Sequence, residues 1–316
     1  MFYNVENLFD TDDDPGIFDE EFTPAGARYW TEYKYSQKLN NIFKVIVAVG
    51  EWDLPPVIGL AEVENRKVLE DLIDRTPLYK AGYEIIHYDS PDQRGIDVAF
   101  LYRKEYFTPV AYNPISVKWP SNIGRGTTRD ILYVSGITSF TDTLHFFINH
   151  WPSRVGGQIE TEDKRIYIAK LLRNHVDSLF MINPENKIII MGDLNDYPQD
   201  RSVKEVLEAE SRFKEIIPDK LYNLSYYLQE EKNEGTYKYN GQWGILDQII
   251  VSGSLLDTSR PTYTTVNNSY VFSADFLLEK DEKYTGKCLK RTYIGYKYHG
   301  GYSDHLPTYL DILRRK

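Results

Sequence analysis

The sequence predicts an α/β fold in which amphipathic helices alternate with β-strands. Short apolar, β-branched runs bounded by polar residues, such as residues 187–191, are typical of buried strands. Residues 36–49 instead place their apolar side chains on one helical stripe. Helices interleaved with strand pairs predict a mixed sheet arrangement. At 316 residues with 41% apolar content, the chain is long enough to bury a large core.

Periodicity assigns each element in turn. Helices are predicted at residues 36–49, from about Asn65 through Ile73, and at residues 163–180. Strands are predicted at residues 2–7, 57–62, 83–88, 98–102, 131–137, 144–148, 187–191 and 246–251. Residues 267–301 have no clear periodicity, and we expect them to form a long surface excursion near the site, where loops commonly set substrate choice.

Polar side chains follow several of these strands at the point where each strand ends. Asp193 and Asn195 come directly after residues 187–191, and the two-residue period of a strand sends both to the same side. Further polar residues at or near strand ends are Asn4, Glu62, His150, Asp304 and His305. This oxygen-rich set with histidines beside it predicts a hard divalent cation and phosphoryl chemistry.

Asp247 lies within an otherwise apolar strand. Burial of a lone carboxylate costs several kcal/mol unless the group is paired. We therefore expect Asp247 to have a partner, and a histidine is the natural one.

In this order along the chain, the motifs resemble the endonuclease/exonuclease/phosphatase superfamily, the DNase I-like metal-dependent phosphoesterases. The resemblance extends from Asn4 to His305 and is strongest to a bacterial branch, through Asn4-Val5-Glu6-Asn7-Leu8-Phe9 and Asn149-His150-Trp151-Pro152-Ser153-Arg154. It implies a four-layer sandwich of two mixed β-sheets flanked by helices. Because one site would draw on both ends of the chain, we expect a single catalytic domain over residues 1–316.

The resemblance also implies a role for each site residue. The implied metal ligands are Asn4, Glu62 and Asp304, with Glu62 the principal one. The implied catalytic residues are His150, Asp193, Asn195, Asp247, His305, Arg129 and Asp97. Among these, Asp193 and Asn195 would orient the attacking water and hold the phosphate, and Asp247 would pair with His305.

Arg129 and Asp97 receive their roles from their positions relative to the family's motifs. Arg129 falls where relatives keep a phosphate-contacting arginine. Asp97 stands near the position where some relatives carry a glutamate that orients the first histidine, here His150. The expected cofactor is Mg²⁺ or Mn²⁺, as one or two ions, and Ca²⁺ is left open as a structural ion.

Charge bears on the substrate. The net charge is −10, whereas a dedicated duplex binder is usually basic, since neutralised phosphates supply most of its affinity. This counts against tight nonspecific DNA binding but not against a metal-assisted phosphodiesterase. Arginines do gather in loops around the motifs, at Arg94, Arg125, Arg129 and Arg154.

We predict hydrolysis of phosphodiester bonds by in-line attack of water, with a nuclease as the leading interpretation. The first alternative is a phosphoesterase for phospholipids, similar to a sphingomyelinase, or for inositol phosphates, although the sequence shows no clear exposed apolar hairpin for membrane contact. The second is a catalytically inactive binding or scaffold protein on the same fold. It is disfavoured because the motif positions all keep the residue types that the chemistry needs.

The sequence also bears on the partners and the cellular compartment of the protein. We expect a monomer that acts on nucleic acid or another phosphodiester. We expect no stable insertion into a membrane, because no stretch approaches the length of a transmembrane span. A first strand that begins at residue 1 leads us to expect that a natural leader was removed. The protein would then be secreted or periplasmic in a bacterium, and otherwise cytoplasmic. The single Cys288 excludes an internal disulfide but does not distinguish these compartments.

Overall fold

Two large β-sheets pack face to face, with helices on their outer faces, in the computed structural model, which describes residues 1–124 and 126–315. Arg125, one of the loop arginines, lies outside the described residues. The α-helices are α1 (Glu32–Gly50), α2 (Arg66–Asp74), α3 (Gln158–Ile182), α4 (Leu224–Glu230) and α5 (Gly253–Leu256). Short 3₁₀ helices occur at Glu20–Phe22, Pro77–Lys80, Val266–Asn268 and Asp275–Leu277, and a π-helical turn at Ser202–Val206.

The strands follow in chain order. The first ten are β1 (Phe2–Leu8), β2 (Val57–Val63), β3 (Tyr83–His87), β4 (Asp97–Arg103), β5 (Phe107–Ile115), β6 (Ile131–Thr138), β7 (Thr143–His150), β8 (Lys187–Asp193), β9 (Ala209–Glu210) and β10 (Leu221–Asn223). The others are β11 (Tyr237–Tyr239), β12 (Gln242–Gly244), β13 (Asp247–Ser252), β14 (Thr262–Tyr263), β15 (Ser269–Val271), β16 (Leu278–Lys280), β17 (Lys287–Leu289), β18 (Tyr293–Ile294), β19 (Lys297–Tyr298), β20 (Thr308–Leu310) and β21 (Leu313–Arg314).

Both large sheets are mixed. The first has the strand order β15-β20-β1-β2-β4-β3, with β1 parallel to β2. The second has the order β5-β6-β7-β8-β13-β10-β9, with β7 parallel to β8. The carboxyl ends of these two parallel pairs lie at the same end of the sandwich, because β1 and β8 contact each other across the sheet interface.

Alternation along β8 shows how the layers form. Ile189 and Met191 face the first sheet, whereas Ile188 and Ile190 face α3 and pack on Leu172. The first sheet repeats this arrangement, since its outer face packs on the apolar stripe of α1. Each sheet is therefore buried on both faces, which explains why its central strands are apolar along most of their length. The sequence-based expectation of two mixed sheets flanked by helices is confirmed.

Gly59 sets the closeness of the two sheets. A Cβ atom added at this position would lie 3.1 Å from Cε of Met191 and 3.2 Å from Cδ2 of Phe2. A side chain here would require Met191 of the second sheet and Phe2 of the neighbouring strand to give by a few tenths of an ångström. Close packing here keeps the residues that follow, including Glu62, near the second sheet.

The predicted helices and central strands are present, with bounds shifted by a few residues. The sequence missed β5, because this edge strand is mostly exposed and contains Pro109 and Pro114, which an edge strand tolerates. Residues 267–301 are more ordered than expected: β15 extends the first sheet, and two hairpins follow it. Across the described residues, no helix combines the length and hydropathy that a bilayer-spanning segment needs.

A buried ion pair anchors the chain beyond β8. Nε of Arg165, a fully buried side chain on α3, lies 2.7 Å from Oδ1 of Asp196. We expect Arg165→Met to lower the free energy of unfolding by about 3 kcal/mol, because it leaves part of a buried carboxylate uncompensated. Arg66→Met removes an exposed pair with Glu70 and should leave stability unchanged. Urea denaturation followed by circular dichroism measures both, and equal effects would contradict this account.

Candidate active site

Polar residues from both sheets converge at the end of the sandwich where β1, β2, β7 and β8 finish. The parallel register of β7 and β8 places His150 beside Asp193, and the antiparallel register of β13 places Asp247 on the other side of Asp193. Asn4 reaches Asp193 from the opposite sheet, with Nδ2 3.1 Å from Oδ2. Three predicted catalytic residues, His150, Asp193 and Asp247, thus lie together. Asn4, a predicted metal ligand, contacts this group.

A local bulge between β1 and β2 positions Glu62. The strand register passes from Asn4 opposite Ala61 to Leu8 opposite Val63. Glu6, Asn7 and Glu62 have positive φ angles of 54°, 57° and 63°. Such conformations cost non-glycine residues about 1–3 kcal/mol each and persist only where the surroundings enforce them.

The bulge also holds the Glu62 side chain. The backbone N–H of Asn7 donates to Oε2 of Glu62 over 3.0 Å, so the carboxylate has a fixed orientation. Oε1 lies 3.8 Å from Nε2 of His150, at the centre of the site.

Asp193 is almost fully buried between two histidines. Its Oδ1 accepts from the backbone N–H of Asn195 over 3.0 Å, and its Oδ2 lies 3.7 Å from Nε2 of His150 and 3.8 Å from Nε2 of His305. Burial raises the pKa of Asp193 to about 7, with the charge of His305 acting in the opposite direction. The preceding Gly192 is required, because a Cβ there would lie 2.3 Å from the backbone oxygen of Asn149.

Asp247 and His305 form a buried pair. Nδ1 of His305 lies 2.7 Å from Oδ2 of Asp247, which has no solvent exposure, so the structure provides the histidine partner that the buried carboxylate needs. Burial opposes the imidazolium form, but the charges of Asp247 and Asp193 outweigh it and raise the pKa of His305 well above its usual value. Ser303 accepts from the backbone N–H of His305 and donates to the backbone oxygen of Asn4, which ties this pair to β1.

His150 has a different environment. Burial, together with the positive charges of Arg129 and Arg94, lowers the pKa of His150 well below its usual value. Nδ1 of His150 has no hydrogen-bond partner among residues 1–124 and 126–315. The surroundings of His150 therefore favour its neutral form, whereas those of His305 favour its protonated form.

One sequence-based assignment needs correction. Asp97 does not orient His150: its carboxylate accepts from the backbone N–H of Ser90 over 2.9 Å and lies 3.3 Å from Nε2 of His87. Strand register decides which partner such a side chain meets, because adjacent residues of a strand face opposite sides of the sheet.

Arg129 holds the backbone at the end of β7. It donates to the backbone oxygens of His150 and Trp151 and forms an ion pair with Asp92 at 3.1 Å. Asn195 likewise donates from Nδ2 to the backbone oxygen of Trp151 over 3.0 Å. Both residues therefore position the segment after β7.

Sequence reasoning missed a charged group behind the predicted metal ligands. Arg291 lies 2.8 Å from both Glu6 and Asp304 through different nitrogen atoms, and Glu6 is almost fully buried. Lys38 of α1, also buried, donates to the backbone oxygen of Tyr302 over 2.7 Å. Glu6 stands within the first motif and could have been identified there. Arg291 lies in the aperiodic segment and Lys38 on a helical stripe, where no sequence signal marks them.

The donor set suits a divalent cation. Glu62, Asp304 and Asn4 offer oxygen atoms, which are the ligands that Mg²⁺ and Mn²⁺ prefer in proteins. Within the described chain, no lysine or arginine forms an ion pair with Glu62, so its charge is left for a metal ion. The cluster formed by Asp193, Asp247 and His305 has ligand atoms within 4.8 Å of one another and lies directly beside these oxygens.

Removal of the Asp247 charge tests the electrostatics of the buried pair. A negative charge 2.7 Å away favours the imidazolium, so Asp247→Asn should lower the pKa of His305 and make it neutral at a lower pH. NMR titration of the histidine ring protons in EDTA measures this shift. The ring-proton signals of the exposed His175 on α3 should be the same in both proteins, and an unchanged pKa of His305 would contradict the assignment.

Comparisons with known proteins agree with this geometry. A model of the endonuclease/exonuclease/phosphatase family matches residues 1–314. No curated protein sequence matches the chain.

Solved structures share the fold. A Bacteroides thetaiotaomicron mannosyl-6-phosphatase is 17% identical with a TM-score of 0.58, covering 99% of this chain and 98% of its own. The human nocturnin catalytic domain is 17% identical with a TM-score of 0.54, covering 89% of this chain and 87% of its own. Truncated Caenorhabditis elegans TDP2 is 16% identical with a TM-score of 0.55, covering 88% and 90%. The match to the family model over nearly the whole chain shows that this protein belongs to the endonuclease/exonuclease/phosphatase family of metal-dependent phosphoester hydrolases.

Proposed function

We propose that the protein hydrolyses phosphodiester bonds by in-line attack of water, with Mg²⁺ or Mn²⁺ as its cofactor and nucleic acid as its substrate. The observation that carries the chemical part is the position of Asp193, a buried carboxylate within 4 Å of the Nε2 atoms of both His150 and His305. Asp193 thus has a histidine on each of two sides that can transfer a proton or stabilise charge.

The residues divide the work as follows. Asp193 orients the water and accepts its proton as the new oxygen–phosphorus bond forms. His305, held through Nδ1 by Asp247, presents Nε2 to the phosphoryl group and supplies a proton as the ester oxygen leaves. His150 binds a nonbridging oxygen, and Asn195 and Arg129 fix the segment that carries His150. A divalent cation held by Glu62, Asp304 and Asn4 would supply Lewis-acid stabilisation of the phosphoryl charge.

Two substitutions test this division. Glu62→Gln and His305→Ala should each lower kcat by about a hundredfold or more, since each removes a charge-stabilising or proton-transferring group. The matched controls are Glu70→Gln on α2 and His175→Ala on α3, both exposed, and both should keep full activity. EDTA should abolish turnover, and Mg²⁺ or Mn²⁺ should restore it.

The same set separates the enzyme from a scaffold protein. Wild-type activity that persists in EDTA would rule out the metal-dependent mechanism. Wild-type protein with neither turnover on any phosphate ester nor a rise in melting temperature with millimolar Mn²⁺ would favour an inactive binding protein.

An aromatic surface next to His305 supports nucleic acid as the substrate. The ring of Tyr237 lies 5.0 Å from the ring of His305. Tyr239 is two residues further along β11, on the same face, and its side chain is 64% exposed. Bases stack on such rings whatever their sequence. Trp243 pairs with Lys238 and lies on the opposite face of the hairpin, so it does not wall the site.

The hairpin offers its own control for this proposal. Tyr239→Ala should raise the KM for a single-stranded oligonucleotide by about tenfold, the usual effect of losing one base-stacking ring. The KM for bis-p-nitrophenyl phosphate should not change, because this substrate carries no nucleobase to stack on Tyr239. Trp243→Ala removes an aromatic side chain from the other face and should affect neither substrate. Equal effects of the two variants would refute a stacking role.

A second candidate substrate is a small phosphorylated head group. A cavity of about 220 Å³ lies beside the bulge, with Glu6, Asn7, Arg28 and Arg291 among its lining residues. Its size and its two arginines suit a polar group such as an inositol phosphate or a phosphosugar better than a base. The relative named mannosyl-6-phosphatase, matched over its whole length, makes this class worth testing.

A substrate panel decides between the two classes. It contains plasmid, single-stranded DNA, sphingomyelin vesicles, inositol polyphosphates, mannose 6-phosphate and bis-p-nitrophenyl phosphate. We expect cleavage of single-stranded DNA at the highest kcat/KM. Cleavage of a head group or phosphosugar with both nucleic acids left intact would overturn the nuclease proposal and keep the phosphoesterase mechanism.

A further inference from the structure

A second group of carboxylates lies outside the active site, where the loop after β1 folds back on the end of β2. Asp14 and Asp19 come from this loop, and Glu64 follows β2 directly. One carboxylate oxygen from each of the three lies within 4.8 Å of the others. Three negative groups at such distances repel one another unless a cation lies between them or one of them takes up a proton.

These carboxylates differ from an ordinary solvated acidic patch. Asp19 is 1% exposed and Glu64 is 3% exposed, so neither charge is stabilised by bulk water. In the part of the chain that the structure describes, no lysine or arginine forms an ion pair with any of the three. The neighbouring Lys67 pairs instead with Asp10 and Asp12.

Hydrogen bonds within the loop leave one buried oxygen without a partner. Oδ2 of Asp19 accepts from the backbone N–H of Asp14 over 3.0 Å, and Oε2 of Glu64 accepts from the backbone N–H of Asp10 over 2.7 Å. Oδ1 of Asp19 has no hydrogen-bond partner within residues 1–124 and 126–315. Buried carboxylate oxygens in folded proteins are almost always satisfied, so this atom needs either a cation or a proton shared with the neighbouring Glu64.

We propose that Asp14, Asp19 and Glu64 bind a hard divalent cation of the Ca²⁺ class, at a site separate from the active-site metal. All three ligands are carboxylates. Ca²⁺ accepts six to eight oxygen ligands in flexible geometry, so backbone oxygens and water can complete a set taken from an irregular loop.

The position of this site connects it to the rim of the active site. The backbone N–H of Phe18 donates to the oxygen of Gln93 over 2.8 Å, and the side chain of Ile17 packs directly against Gly95. Between these contacts, Arg94 reaches Asn7 of the bulge, with Nη2 2.8 Å from Oδ1. The cation would therefore stabilise the loop on which the Arg94 segment rests.

Calcium titration in a Glu62→Gln background tests the proposal without interference from the catalytic metal. Calorimetric titration of this variant with CaCl₂ should show one binding site. Its melting temperature should rise by about 4 °C when Ca²⁺ reaches a hundred times the dissociation constant. Adding Asp19→Asn or Asp14→Asn should remove both the heat of binding and the shift. Adding Asp13→Asn, an exposed residue of the same loop outside the three ligands, should leave both in place.

A crossover in stability distinguishes a cation site from a structural hydrogen-bond network. In EDTA, Asp19→Asn should melt at a temperature equal to or above that of its parent, because it removes charge repulsion. In Ca²⁺ it should melt below the parent. If Asp19→Asn does not fold, Asp14→Asn carries the same comparison, since its side chain is only half-buried. The proposal fails if the Glu62→Gln protein binds no Ca²⁺, or if both loop variants keep the full calcium shift.

Discussion

The hydrogen bond between Asn4 and Asp193 joins the two sheets at the point where the chemistry would take place. Asn4 lies on β1 of the first sheet and Asp193 ends β8 of the second, so their contact at 3.1 Å exists only while the sandwich stays closed. The sheets also approach each other closely at Gly59, where an added Cβ atom would lie 3.1 Å from Cε of Met191. Catalytic geometry in this protein therefore depends on the packing of the whole interface between the sheets.

Burial of charge at this edge is the second constraint. Asp193, Asp247, His150 and His305 are nearly inaccessible to solvent, and each titrating group perturbs the next. Such an arrangement costs stability unless opposite charges and hydrogen bonds compensate for the lost hydration. The pair formed by Asp247 and His305 supplies part of the compensation, and Arg291 compensates Asp304. Glu62 has no lysine or arginine partner among the described residues. Glu62 is therefore the carboxylate of this site whose charge is most available to a metal ion.

Several polar residues at this edge hold the backbone around the site. Arg129 and Asn195 hold the backbone after β7, and Arg154 holds the backbone oxygen of Asn195 while pairing with Asp196. Two of the loop arginines near the motifs, Arg129 and Arg154, are thus engaged in contacts with the backbone and with aspartates. Their engagement explains how an acidic chain can keep several arginines near a phosphate site without a continuous basic surface.

The sequence by itself determined the α/β class, the central strands and the catalytic motifs. Burial on both sheet faces leaves apolar runs, and chemistry needs particular side chains at strand ends, as in Gly192-Asp193-Leu194-Asn195. The tertiary structure alone decided which side chains meet. Asp97 pairs with His87, Arg291 joins Glu6 to Asp304 across nearly 300 residues, and Asp19 approaches Glu64. Such contacts depend on strand register and loop closure over long separations, and no local periodicity encodes them.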